Sequence, residues 1–475
     1  MRPVNIYALS RIKSEKAFNT AAEQYAGAVD DTWAKRHEIE SLRLLCDALM
    51  AAGAGVEDLA EMYFSFTIPR IGKEFDVLKV GADACVNIEL KSAPVSKEKI
   101  RKQLVQNRYY LSFLPQEPLM YTVVTTPFAC WTLTDKGKLA EADIAEVAAA
   151  VRRVRAVPAD IDKLFHPSNF LISPPQEPGK FLQGDYFLTP PQSEIKKDLI
   201  RKVKKADGCA LFHLTGKPGT GKTLLLYDIA RGLVKRGEVL LLHCGGLSAG
   251  QQAISDGVDG LTIARPEDVK DLTSYRFVLA DEAQRLTAAQ FETLTRTAKE
   301  CGQALVLATD PEQVLTRAEE ADGITARIDE LPLAGEYRLR ARLRSNHEVT
   351  AFAAGLADLT RRPTEKLTGG SVKVYYAGTR DEATRLALYL QEQGSTVFHY
   401  GGWTAAEEYD KVAVIMDSDF YYEGNILKCR RTADGLLAEK LLYQAVTRAR
   451  EEVAVLVVED EELFETVQSI LQGHQ

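Results

Sequence analysis

The run Gly216-Lys-Pro218-Gly219-Thr220-Gly221-Lys222-Thr223 has the residue types and spacing needed to hold a chain of phosphates. Its glycines let successive backbone N–H groups curl round an anion. Lys222 supplies a cation for the β- and γ-phosphates, and Thr223 a hydroxyl for Mg²⁺. Phe277-Val-Leu-Ala-Asp281-Glu282 ends an apolar run in two acids. Asp281 is suited to holding Mg²⁺ through water and Glu282 to polarising an attacking water. A second constellation lies upstream, with Asp76 in one apolar run and Glu89-Leu-Lys91 in the next. Two carboxylates and a lysine can bind a hard divalent cation and steer a water toward phosphorus.

These groups need particular elements beneath them. An apolar strand should precede the glycine loop, and a helix from Leu224 to Val234 should follow it. Residues 72–81 and 84–92 read as an antiparallel hairpin. Glu89 and Lys91, two apart, then share one face of a strand. A helix over Trp33–Met50 precedes the hairpin. It carries Glu38 and Glu40, either of which could complete a metal site. A helix over Ser96–Phe113 follows, with Gln103, Gln106 and Tyr109, and then a core strand at 119–126. After residue 192 strands and helices alternate, the pattern of parallel α/β sheets. The prolines between 167 and 192 disfavour regular structure and mark a linker.

Several further segments resemble the motifs of superfamily 1 helicases. Thr309-Asp310-Pro-Glu-Gln313 resembles motif III, with Thr309 where glycine is usual. The resemblance implies that Gln313 senses the γ-phosphate. Leu339-Arg-Ala-Arg-Leu-Arg344-Ser-Asn resembles motif IV, and Leu442-Tyr-Gln-Ala-Val-Thr-Arg448 resembles motif VI, with Arg448 as the implied arginine finger. Leu188-Thr-Pro-Pro-Gln192 resembles the Q motif, whose glutamine reads adenine, so ATP is the implied nucleotide. Thr404–Asp410 resembles motif V but is one residue short and lacks the usual Gln-Gly. The compact core looks closest to the group that also occurs in Schlafen proteins. Little room remains for the large inserted subdomains of bigger relatives, so translocation or ATP-gated clamping competes with processive unwinding. Upstream, Asp76, Glu89 and Lys91 resemble the PD-(D/E)xK nucleases, which use Mg²⁺ and in places Mn²⁺, and Gln106-x-x-Tyr109 resembles the QxxY extension of some members.

The expected fold is therefore α/β, a restriction-endonuclease-like domain followed by two RecA-like lobes. Expected boundaries are 1–135 for the nuclease-like domain, 136–191 for a helical segment and Pro-rich linker, 192–336 for the first lobe and 337–475 for the second. The expected function is a nucleic-acid motor coupled to DNA cleavage, in repair or in defence against phage. The alternatives are a signalling ATPase with a non-cleaving recognition module, and an RNA-directed enzyme.

Bulk properties fit and exclude some classes. The 475 residues are 45% hydrophobic and 27% charged with net charge −8, ordinary for a globular chain of two or more domains. A negative total still permits a local basic groove for nucleic acid. Basic clusters occur at Lys97, Lys99, Arg101 and Lys102 and between Lys196 and Lys205. The seven cysteines form no CxxC pair, so reduced cytoplasmic thiols are expected and a zinc site is not. No apolar run is long enough for a membrane span. The histidines form no HExxH pattern and there is no GxSxG, which argues against zinc and serine hydrolases.

Overall fold

Along Ala84–Lys91 the residues Ala84, Val86 and Ile88 face one hydrophobic core, and Cys85, on the face shared with Asn87 and Glu89, joins a second. The computed structural model describes the chain apart from residues 27–35, 70, 159, 167–169, 171, 207, 341–346, 399–408, 434 and 474–475. It divides into two units, Met1–Phe170 with Asp185–Thr189, and Leu171–Gly184 with Pro190–Gln475.

In the first unit α1 (Ile6–Ser10), α2 (Glu15–Ala26) and α3 (Arg36–Ala51) precede β1 (Tyr63–Thr67), β2 (Glu74–Val80) and β3 (Ala84–Lys91). Then come α4 (Lys97–Leu111), β4 (Glu117–Thr125), β5 (Phe128–Leu133), β6 (Leu139–Ala142), α5 (Ile144–Arg153) and α6 (Ile161–Leu164). The six strands form one sheet in sequence order. All neighbours are antiparallel except β3 and β4, which run parallel. Antiparallel strands need only a tight turn, but a parallel pair needs a crossover, and α4 is that crossover. Val86 and Ile88 pack with α3 and α5 on one side of the sheet. Cys85 packs with Ile100, Leu104 and Leu111 of α4 on the other.

One irregularity matters for the site. Phe64 and Phe66 should share a face of β1, yet they join opposite cores. Ser65 between them has φ 52°, and the pairing of β1 with β2 skips it, directly opposite Asp76. A residue in the left-handed region bends a strand and re-aims its neighbours, as a bulge does.

The second unit begins with α7 (Pro178–Gln183) and α8 (Pro190–Lys205). Its first sheet is built from β7 (Ala210–Gly216), β8 (Val239–His243), β9 (Leu261–Ala264), β10 (Phe277–Asp281), β11 (Ala304–Thr309) and β12 (Gly335–Leu339). Between them lie α9 (Lys222–Leu233), α10 (Ala249–Gly257), α11 (Ala288–Cys301), α12 (Arg317–Asp322) and α13 (Ile324–Asp329). The strand order is β12-β7-β11-β10-β8-β9, every pair parallel. Strands buried on both faces need continuous apolar runs, and Val239–His243 and Ala304–Thr309 are buried at every position.

The remainder comprises α14 (His347–Ala357), β13 (Val372–Ala377), α15 (Arg380–Glu392), β14 (Thr396–Phe398), β15 (Tyr409–Met416), β16 (Phe420–Glu423), β17 (Ile426–Cys429), β18 (Thr432–Ala433), β19 (Leu436–Leu437), α16 (Ala438–Thr447), β20 (Ala449–Val458) and α17 (Glu461–Ile470). Its parallel sheet runs β13-β20-β15-β14, and β16 and β17 form a separate hairpin.

The segment expected as helix and linker divides between the units. β6 and α5 belong to the first unit, where Val147 and Val151 are fully buried. The Pro-rich stretch folds against the second. Phe181 is buried edge-on to Tyr227 of α9, and Arg231 donates to the carbonyls of Phe181 at 2.7 Å and Leu182 at 3.2 Å. Gly250 and Gly257, on α10, face this stretch. A Cβ on Gly250 would lie 1.8 Å from the Pro175 carbonyl oxygen, which only glycine tolerates, and one on Gly257 would lie 2.8 Å from the tip of the Leu182 side chain, which would have to shift.

Among the described residues no helix is long and apolar enough to cross a membrane, and all seven cysteines are free. Phe165 has no exposed surface and meets Phe66 and Phe75 at ring distances of 5.2 and 5.5 Å. Phe165→Ala should destabilise the first unit by about 3–5 kcal/mol. Denaturant unfolding followed in that unit checks this, and a loss below about 1 kcal/mol would mean the ring cluster does not hold the unit together.

Candidate functional sites

In the second unit the phosphate loop leaves β7 and enters α9, as its sequence requires. Gly219 and Gly221 have φ 73° and 81°, conformations that suit glycine and turn the chain round an anion-sized space. Gly216 is tightly packed, since a Cβ there would lie 2.6 Å from the Thr220 hydroxyl. Lys222 is 6% exposed. Its ammonium donates to the carbonyls of Gly216 at 2.6 Å and Lys217 at 3.2 Å, and lies 3.4 Å from Asp310. Gln192, buried at the start of α8, donates to the Thr220 carbonyl at 3.2 Å. That places the adenine-reading candidate beside the loop.

Asp281 ends β10, next to β8 and β11. Burial pushes its carboxyl up, but His243, Thr223 and Lys222 outweigh burial and hold it below the usual range. One of its oxygens is buried without a hydrogen-bond partner, 3.8 Å from His243 Nδ1. An unsatisfied carboxylate oxygen beside Thr223 and Lys222 is an oxygen donor that suits Mg²⁺ or a water bound to it. Glu282 follows at φ 55°, a strained conformation for glutamate. Such strain persists where the surroundings enforce it, and the Glu282 side chain is held in place by the Gln284 amide, which donates to it at 2.6 Å. Gln284 also accepts from the Asp310 backbone at 3.0 Å. It thereby joins the two acidic strand ends, a link the sequence reading did not include.

Burial raises the Asp310 carboxyl to about 6, with Lys222 opposing. Thr309, which stands where the motif usually has glycine, is fully buried and bonds His213 of β7 at 2.8 Å. The larger side chain is accommodated because the neighbouring strand offers it a partner. Gln313 is 3% exposed, and its carbonyl lies 3.4 Å from the Gln284 amide. Arg448 caps the C-terminus of α16, half-buried. Arg344 lies outside the described residues, as do Thr404 and Glu408 of the motif V candidate. Three residues of the basic cluster on α8 have structural partners: Lys196 pairs with Asp228 at 2.5 Å, Lys202 with Asp198 at 3.1 Å, and Arg201 also with Asp198.

In the first unit the ladder of β2 and β3 ends at Val77–Ile88, and there the carboxylates meet. Asp76 accepts from the Leu90 backbone at 2.7 Å, taking a bond the ladder no longer makes. The Lys91 ammonium lies 3.7 Å from Asp76 and 3.9 Å from Glu89, so the three expected residues do converge. Glu89 is completely buried. It accepts from Asn107 at 2.8 Å and from Gln103, one turn apart on α4, and the Lys73 ammonium lies 3.8 Å away. Burial, then the charge of Asp76, pushes its carboxyl up to about 7 against the pull of Lys73 and Lys91. Two hard carboxylates held by one lysine are a donor set that fits a hard divalent cation.

Other expected residues lie elsewhere. Glu38 is on α3, which packs against the sheet face opposite Glu89, and its side chain is about half exposed. Among the described residues no group of three His, Cys, Asp or Glu side chains converges. Tyr109 donates to the Phe170 carbonyl at 2.9 Å and not to the carboxylates. Asn107 and Lys73 were missed. The four-residue spacing of Gln103 and Asn107 was the available signal for Asn107.

Residues 193–358 match the sequence model of an AAA domain, and this stretch is a P-loop ATPase domain. No curated protein matches the chain. Among solved structures, a Pif1 helicase from Candida albicans is 18% identical over 43% of this chain and 54% of its own, about half its length, with a TM-score of 0.25. A Pif1 structure described for DNA unwinding at forked dsDNA is 12% identical over 61% of this chain and 95% of its own, TM-score 0.31. Bacteroides sp Pif1 in complex with ADP-AlF4 is 12% identical over 42% and 56%, TM-score 0.24. TM-scores this low carry over neither fold nor residue roles. The ATPase assignment rests on the family match and the loop geometry.

Two outcomes are expected. Lys222→Ala abolishes ATP hydrolysis, and Glu282→Gln slows it while ATP still binds, both read by steady-state turnover and nucleotide titration. Normal turnover in both variants would remove this loop from catalysis. The second concerns pH. The Glu89 carboxyl is raised from 4.5 to about 7, so the native state holds its proton more tightly than the unfolded chain. Stability from this group is full below about pH 4.5 and is lost as pH rises toward 7. The metal-free unfolding midpoint should fall across that window, and Glu89→Gln should flatten the fall. An equal slope in both proteins would contradict the assignment.

Proposed function

We propose that the chain is an ATP-driven nucleic-acid motor whose first unit is a metal-dependent nuclease acting on DNA. The motor reading rests on the phosphate loop and its acidic strand ends, followed by a second parallel sheet and by α16, which ends at Arg448. A cleft lined from two α/β sheets lets hydrolysis depend on closure, which is how a P-loop enzyme turns chemistry into movement. ATP with Mg²⁺ is the substrate this site fits. Arg448 acts as the finger and Gln313 as the γ-phosphate sensor in this reading.

The observation that carries the nuclease reading is the convergence of Asp76, Glu89 and Lys91 where β2 and β3 part. The order α3-β1-β2-β3-α4-β4, with one parallel pair, is the frame expected of a restriction-endonuclease-like domain. Asp76 and Glu89 would hold Mg²⁺ or Mn²⁺. A bound metal supplies charge neutralisation and a lowered water pKa. Lys91 orients both carboxylates and presents its ammonium to the scissile phosphate. A role in repair or in defence against phage suits such a fusion.

A second reading has its own observation. Glu89 is fully buried with amide donors from both Gln103 and Asn107, which favours a first unit that recognises nucleic acid without cutting it. Purified protein incubated with labelled DNA and RNA, with and without Mg²⁺ and ATP, separates the readings. On the nuclease reading Glu89→Ala keeps ATP hydrolysis near the parent rate and leaves the strand intact, while Lys222→Ala still cuts. If Glu89→Ala cuts as well as the parent, with contaminants excluded, the recognition reading replaces the first. Arg448→Ala should cut the turnover rate at least tenfold with little change in ATP affinity, because a finger acts on transition-state charge.

A further inference from the structure

Glu312 sits at a meeting of three segments of the second unit. Its carboxylate lies 2.6 Å from the ammonium of Lys217, in the phosphate loop. The Tyr443 hydroxyl, on α16, donates to its other oxygen at 2.7 Å. The Arg361 guanidinium, beyond α14, lies 3.5 Å away. Burial pushes the carboxyl up, but Lys217, Tyr443 and Arg361 outweigh burial and hold it below the usual range. The backbone on either side is tied to the same place. Leu437 donates to the Leu315 carbonyl at 2.8 Å, and Arg317 to the Gly435 carbonyl at 3.2 Å. The segment 312–317 is therefore fastened to the start of α16 by its main chain and to the middle of α16 by a side chain.

We propose that Glu312 is a positioning residue for ATP hydrolysis, transmitting the state of the phosphate loop to α16 and so to Arg448 at its end. Two neighbouring residues divide the work. Asp310 meets Lys222, the cation that must serve the phosphates, whereas Glu312 meets Lys217, at the near end of the same loop. A shift of the loop that accompanies phosphate binding moves Lys217, and Glu312 carries that displacement to Tyr443. Arg448 lies five residues further along the same element, so a rotation of α16 re-aims it. Ion pairs and hydrogen bonds that are half-buried have two discrete arrangements available, made or broken, which suits them to a coupling role. This inference rests on the ATPase reading of the loop and goes beyond it, since the ATPase motifs give Glu312 and Tyr443 no task.

The test uses the full-length chain and four substitutions: Glu312→Gln, Tyr443→Phe, Lys217→Met and the pair Glu312→Gln with Tyr443→Phe. Gln and Phe keep the shapes of the side chains they replace, so melting temperatures should stay close to the parent's. Each single variant should lower kcat for ATP about tenfold while KM changes less than about twofold, since the contacts act on positioning and not on nucleotide affinity. The double variant should be no slower than the worse single one, because both break the same link. Glu312→Asp, which keeps the charge, should recover part of the rate. Unchanged kcat in Glu312→Gln, or losses that multiply in the double variant, would overturn the proposal. A fall in melting temperature that accounts for the lost rate would overturn it too. The parent and Lys222→Ala distinguish the two levels. If the parent hydrolyses ATP and Lys222→Ala does not, the ATPase reading stands whatever Glu312 does. If the parent shows no turnover, that reading fails and this one with it.

Discussion

A buried ammonium must have acceptors, and the position of Lys222 is decided by where they are. At 6% exposure it cannot rely on water, so two backbone carbonyls and Asp310 surround it. Leaving such a charge unpaired costs several kcal/mol. The loop is therefore built to offer its lysine temporary partners that phosphates can replace. Asp310 must in turn be held, and Gln284 holds it from the strand end that carries Glu282. The acidic strand ends are thus joined through side chains as well as through the sheet.

The first unit meets the same constraint with the opposite charge. Glu89 is an acid with no access to water, and its surroundings supply amides and ammonium groups in place of solvent. The bend at Ser65 and the end of the β2–β3 ladder at Val77 have one common effect. They free backbone and side-chain groups at a single point, so that Asp76 turns to Leu90 and toward Lys91. Regular pleating would pair those groups in the ladder.

The parts legible in the sequence were those where local chemistry and position coincide. Gly219, Gly221 and Lys222 announce a phosphate loop because no other arrangement needs those residues in that order. The hairpin of Asp76 and Glu89 was legible from a period of two. What could not be read were partnerships across distant segments. Nothing local ties Glu312 to Tyr443, 131 positions away. Nothing in Lys73 marks it as buried, because lysine is ordinarily a surface residue. The Pro-rich stretch was misleading for a different reason. Proline limits regular structure but does not prevent packing, and Phe181 gave that stretch something to bury.

The two glycines of α10 bear on how such a chain can be assembled over time. Gly250 accepts residues 171–184 so closely that a methyl group there would collide with the Pro175 backbone, and one on Gly257 would press on the Leu182 side chain. A joint of that kind is fitted to one partner. The second unit could not be moved into another chain like a bead onto a new string without carrying residues 171–184 along or rebuilding that face of α10. Inheritance would then pass the second unit and residues 171–184 as one piece, and the return of residues 185–189 to the first unit would disfavour breakpoints within this stretch.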